Sequence, residues 1–283
     1  IISFIRKMDM DVPFGLPPSF VLGILAGLIG YSVAYLISTA MSDVLYPNLK
    51  KETNNEKDEK SKILIHSYFT SLVHAIVQTV ASIYPALQSN DHWHNRVLHF
   101  DEKLYVDYGL TGIGPSFWSG VFVGYLFADL LAVGKHENVL MVCHHVFACS
   151  MWTYCTLNRQ MQWYQSFLQC NELSTIFLST RYILTVGLGC NKSSSIVLLF
   201  NLLCFICFGC IRIFPLPSIA YHFWNNDMNT LKEKNGVNPH AIGCMFLFHM
   251  CMQCFWYFLM VKLVVNVLCG RGKKIEKVDG KDH

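Results

Sequence analysis

The chain has 283 residues, of which 53% are apolar and only 14% charged, with a formal net charge of +3. A soluble domain of this size carries charge on about a quarter of its residues, so the balance excludes a disordered chain, a coiled coil and an ordinary cytosolic enzyme. It points to a membrane protein. The small net charge, with no basic stripe interleaved with aromatics, gives no nucleic acid as partner.

A bilayer core requires about 20 apolar residues as a helix, and seven segments qualify. Pro18 to Met41 is free of charge and is the cleanest. Ile63 to Tyr84 follows, then Gly112 to Val133, Asn138 to Leu157, Trp163 to Val186, Ser195 to Tyr221 and Ala241 to Leu268. The chain begins at Ile1 rather than Met, and Met8 is a candidate start. No cleavable signal peptide is expected, because the first apolar run is long enough to stay in the bilayer. The sixth segment cannot run straight: Pro215 and Pro217 remove backbone donors, and a kink is expected just after Arg212. Short connections at 134–137 and 158–162 make the third to fifth spans antiparallel neighbours in one bundle. The expected fold is an all-α membrane protein with seven transmembrane helices.

Orientation follows the lysines and arginines of the loops. Twelve lie on the side of the C-terminus, in the loop after the first span, at Lys135 and Lys192, and in the tail; seven lie opposite. The expected topology has a lumenal N-terminal segment (1–17), a leading transmembrane helix (18–41), a cytosolic loop (42–60), a membrane domain (61–270) and a cytosolic basic tail (271–283). The sequon Asn191-Lys192-Ser193 then falls on the cytosolic face and stays unmodified.

All twelve cysteines lie at or after Cys143, mostly in apolar runs, and are expected to act as small buried hydrophobes. Cys204-x-x-Cys207-x-x-Cys210 and Cys251-x-x-Cys254 read as packing residues, and Cys269 as a palmitoylation candidate. His66, His74, His222 and His249 stand alone, and His92, His94 and His99 form a loop cluster best read as surface histidines. No metal and no cofactor are expected. A G-protein-coupled receptor is disfavoured, since the third span ends ADLLAVGKH and the seventh lacks an Asn-Pro-x-x-Tyr turn.

Four charged residues stand out inside the spans: Asp129, Glu172, Arg181 and Arg212. Intramembrane charge costs several kcal/mol unless paired or hydrated, so each is a functional candidate. Glu172 and Arg181 are nine residues apart, about 900° of helical rotation, and lie on opposite faces. Their partners must come from other helices. The fourth span carries the doublet His144-His145, whose side chains point about 100° apart. One ring can face the bundle interior as a general base or acyl acceptor while the other bonds a neighbouring helix.

The stretch Tyr125 to Leu184 resembles the TLC-domain family of ceramide synthases and lipid-homeostasis proteins. The resemblance rests on Asp129, the K-x-x-x-x-L-M-x-x-H-H run from Lys135 to His145, N-E-L-S from Asn171 to Ser174, and S-T-R-Y-I-L from Ser179 to Leu184. It implies a six-helix TLC ring around a lipid-sized cavity, preceded by one extra helix lying outside the ring. It also implies residence in the endoplasmic reticulum or connected membranes, with membrane lipids (acyl chain, sphingolipid or acyl-CoA) as partners; a homo-oligomer is left open by the sequence. Ceramide synthases carry His and Asp where this chain has Asn171 and Thr175, while Glu172 keeps the first carboxylate. The reduced set favours a lipid-binding protein of lipid homeostasis over an enzyme. The alternative is a ceramide synthase-like N-acyltransferase using acyl-CoA. His144, His145, Glu172 and Asp129 are the candidate catalytic residues, and Trp152, Ser174, Arg181 and Arg212 the candidate lipid contacts.

Overall fold

A computed structural model describes residues 17–46, 56–87, 115–158, 161–229 and 238–268. The N-terminal segment, the loop cluster of His92, His94 and His99, Cys269 and the basic tail lie outside the described residues. Among the described residues all regular structure is helical. The helices are α1 (Pro18–Ala40), α2 (Glu56–Leu87), α3 (Pro115–Val133), α4 (Val139–Leu157), α5 (Gln162–Gln169), α6 (Glu172–Tyr182), α7 (Ser195–Phe208), α8 (Leu216–His222) and α9 (Pro239–Leu268). A single turn, Ser42–Leu45, follows α1.

Five helical stretches are long and apolar enough to cross a membrane: Pro18–Ala40, Glu59–Ile83, Ser116–Val133, Ser195–Asn225 and Pro239–Val265. The expected fourth and fifth spans are helical but stand outside this set. In α4 the histidine doublet dilutes an otherwise apolar run. The fifth segment is not one helix: it breaks at Cys170-Asn171 into α5 and α6, and α6 continues as a π-helical turn over Ile183–Gly187. The sixth segment is interrupted where its prolines fall. A π-helical turn, Gly209–Ile213, precedes Pro215, and α8 restarts with a proline in its first turn.

Outward faces are apolar. Leu25, Ile29, Val33 and Leu36 form an exposed stripe on α1, as a bilayer requires and water would penalise. Two readings are corrected here. Of eleven described cysteines, all free, only Cys155 and Cys204 are buried; Cys143, Cys210, Cys244, Cys251 and Cys254 face outward, because their apolar surroundings are the membrane rather than the core. Lys262 is a further charge within the last span, exposed near the end of α9.

The α1–α3 pair is the closest helix contact. A Cβ added to Gly23 or Gly27 would strike the carbonyls of Phe117 and Val121, and one on Gly120 or Gly124 would strike those of Phe20 and Ile24. Two small-xxx-small runs thus face each other and let the backbones touch, the usual means of association where lipid removes the hydrophobic drive. The remaining helices close a ring. α2 packs on α3 and α6, α3 on α4, and α6 on α7. Phe147 of α4 meets Phe248 of α9, and Phe205 of α7 stacks on Tyr257 of α9. The main core packs Trp152, Tyr164, Phe223 and Phe246 and extends along α1 and α3 to Tyr31, Tyr125 and Leu126.

Candidate functional site

Inside the ring is a cavity of about 320 Å³, lined by α2, α3, α4, α6, α7 with its π-turn, and α9. Its outer end reaches Glu137 in the α3–α4 connection, and its walls include Leu126, Met141, Leu178, Leu259 and Met260. That size falls at the small end of ordinary ligand sites. Asn138 starts the α4 wall: its side chain accepts from the Met141 amide at 3.0 Å, capping the helix that carries the histidines.

Polar groups from distant parts of the chain meet in this cavity. Asp129, one turn before the end of α3, accepts at Oδ1 from Ser67 Oγ (2.6 Å) and Tyr31 OH (3.2 Å), while Oδ2 faces His145 Nδ1 at 3.5 Å. A proton on Nδ1 toward that carboxylate leaves the Nε2 lone pair free, the tautomer a general base needs. His144 turns the other way, edge-on to Trp256 of α9 with centroids 4.8 Å apart, and its buried Nδ1 has no hydrogen-bond partner. The 100° between adjacent residues therefore aims one ring at α3 and the other at α9, and both still line the cavity.

Arg212 sits at the opposite wall, 8% exposed, with its donors engaged by protein. Nη2 donates to the Asn171 carbonyl (2.7 Å) and Thr175 Oγ1 (3.2 Å), Nε to Ser174 Oγ (2.9 Å), and Nη1 to Gln253 Oε1 (3.2 Å). The guanidinium thus adds two donors, Nη2 and Nε, to the Asn171 carbonyl, which also accepts from the Ser174 amide at 3.2 Å and hydroxyl at 2.9 Å. Its plane also lies over Phe208, 4.8 Å from the ring centroid. Glu172 is the acidic group whose charge acts on Arg212.

Of the residues singled out from sequence, Asp129, His144, His145, Glu172, Ser174 and Arg212 line this one cavity. Trp152 does not: its ring packs against Phe122 in the core, 2% exposed. Arg181 is also absent from the lining, lying near Tyr68 with its Nε buried and unpartnered. Tyr31, Ser67, Trp256 and Gln253 were not singled out, although each touches a residue that was. A hydroxyl, indole or amide within an apolar run was the available signal, and no spacing marks it. Two of the histidines read as isolated also join: His74 stacks on the Tyr125 ring at 3.7 Å, and His249 approaches Gln253, with Nε2 atoms 3.3 Å apart.

The chemistry is rich in acceptors. Asp129, Glu137, Glu172 and two imidazoles face one guanidinium that is already occupied. The hydroxyls of Ser67, Tyr68, Ser71, Tyr125, Ser174, Thr175 and Ser179 line the cavity as well, and each can donate or accept. No group of three His, Cys, Asp or Glu side chains among the described residues is placed to hold a metal. Glu137, outside the membrane spans, has its carboxyl pushed above the ordinary glutamate range by burial and then by Asp129.

Comparison with known proteins places this geometry. The sequence pattern of the TLC domain matches residues 65–262, more than two thirds of the chain. The chain belongs to the TLC-domain family. It is 29% identical over 160 residues to TLC domain-containing protein 4-A of Xenopus laevis, covering 54% of this chain and 56% of that one. It is also 32% identical over 130 residues to TLC domain-containing protein 4 of Xenopus tropicalis, covering 43% and 49%. The chain thus spans about half the length of the curated relatives it matches. No solved structure matches it. The TLC match includes every cavity-lining residue and starts after α1, so the Tyr31 contact to Asp129 comes from outside the matched domain.

Proposed function

We propose that this TLC-domain protein binds an acyl chain or sphingolipid within its helix ring and thereby acts in membrane lipid homeostasis, in the endoplasmic reticulum or connected membranes. The observation carrying this reading is the cavity itself, whose lining combines the polar groups of His144, His145, Asp129 and Glu172 with the aliphatic side chains of Leu126, Leu178, Leu259 and Met260. An amphiphile with a hydrogen-bond-donating headgroup matches such a mixed lining. In this reading α4 and the broken α5–α6 segment also cross, giving seven spans with the N-terminus lumenal and the C-terminus cytosolic. The test is lipid extraction from purified protein followed by mass spectrometry. The His144→Ala/His145→Ala variant should lose bound sphingolipid by several-fold; an unchanged lipid profile from folded variant overturns the reading.

The Asp129–His145 pair favours a second reading, N-acyl transfer. His145 would take the proton from a long-chain amine as its nitrogen attacks the thioester carbonyl of acyl-CoA, forming the amide and releasing CoA as the thiol. Microsomes lacking other ceramide synthases, given a long-chain base and acyl-CoA donors, decide it. Ceramide that appears with wild type and vanishes with His145→Ala supports transfer; none with any donor leaves the binding reading alone.

A further inference from the structure

Asp129 is held partly by a helix that lies outside the TLC match. Its Oδ1 receives two donors, Ser67 Oγ at 2.6 Å and Tyr31 OH at 3.2 Å, and Oδ2 is left to face His145 Nδ1 at 3.5 Å. A carboxylate turns easily about its terminal torsion, where the wells are broad and two-fold. Two donors on one oxygen remove that equivalence and set the direction in which the other oxygen presents itself. Tyr31 is itself confined, 6% exposed, with Tyr35 stacked on one side at 6.0 Å and Tyr125 tilted against it at 5.9 Å.

The seating of α1 sets the reach of that hydroxyl. On one side of Tyr31 the Gly23/Gly27 and Gly120/Gly124 seam brings the α1 and α3 backbones into contact. On the other side Ser38 Oγ lies 2.9 Å from both Tyr46 OH and His66 Nδ1, tying the end of α1 to α2. A helix serving only as an anchor needs neither a buried hydroxyl aimed at an intramembrane carboxylate nor two fixed points on either side of it.

We propose that Tyr31 is a positioning residue for the cavity: with Ser67 it orients Asp129, which orients His145, making α1 a working part of the site. The consequence for ligand rests on the lipid-binding reading above; the orientation of His145 does not.

The experiment uses the full chain in nanodiscs with ¹⁵N-labelled histidine, His145→Ala assigning the His145 ring signals. Tyr31→Phe keeps the ring and removes the hydroxyl. It should shift the His145 nitrogens while the other histidines hold, and weaken binding of a fluorescent short-chain ceramide roughly threefold to tenfold, the size of one lost hydrogen bond. Tyr35→Phe should do neither. Should Tyr31→Phe fail to fold, 3-fluorotyrosine at position 31 preserves the shape and makes the hydroxyl a stronger donor, and it should still move the His145 signals. Unmoved His145 signals in the folded variant overturn the proposal, as does a uniform shift of all histidines. If the ceramide probe fails to bind wild type, the lipid reading falls while the histidine signals still decide the role of Tyr31.

Discussion

Asp129 and Arg212 both lie buried within the ring, and each is held by several partners from other helices. Arg212 serves the backbone as well as the cavity. Replacing it with Met removes a donor from each of Ser174, Thr175 and Gln253 and two from the Asn171 carbonyl, which keeps the Ser174 amide and hydroxyl. A buried acceptor left short of a donor costs about 1–3 kcal/mol, so Arg212→Met should markedly lower the unfolding midpoint in detergent, and an unchanged midpoint contradicts the brace. Glu137 predicts a pH effect of defined sign. Its carboxyl lies above the ordinary range when folded, so the native chain holds that proton more tightly than the unfolded one. It contributes nothing below both values and costs stability as pH rises from the ordinary glutamate range through the folded one. Glu137→Gln should therefore match wild type near pH 4 and unfold at a higher temperature near pH 7, as thermal scans at the two pH values will show.

At the scale of elements, local chemistry and packing divide the work. The interruption after Arg212 was legible because proline acts on its own chain: Pro215 and Pro217 lack the backbone N–H that an unbroken helix would use. The break between α5 and α6 was not, since Cys170-Asn171 contains neither proline nor glycine, and part of its bracing arrives from α7's π-turn, 41 residues later. The α1–α3 seam has two glycine pairs at the same spacing, but which helix meets which is a tertiary fact. Gly27→Val should force the backbones apart against Val121 and Tyr125, at about 1–3 kcal/mol for an overpacked contact, read as a lower unfolding midpoint. Asn138→Ala should cost about 1 kcal/mol by removing the cap on the Met141 amide.

For the whole molecule, the expected orientation places Asn191 on the cytosolic face. There its side chain accepts from the Ser193 amide and hydroxyl at 2.9 and 2.8 Å in a local turn. Expressed with microsomes, the chain should carry no glycan at Asn191; an endoglycosidase-sensitive shift removed by Asn191→Gln reverses the orientation. The sequence by itself determined the membrane class, the helical segments, the interruption at the prolines, and the few polar groups that an apolar helix must account for. Each of these depends on side chains within a turn or two of one another, or on composition alone. Only the tertiary structure decided that six of those polar residues share one cavity, that Trp152 belongs to the core and Arg181 stands apart from the lining, and that Tyr31 reaches Asp129 across 98 positions. Such pairings depend on which helices neighbour each other and at what rotation. Those relations are set by packing over the whole ring, and no local spacing encodes them.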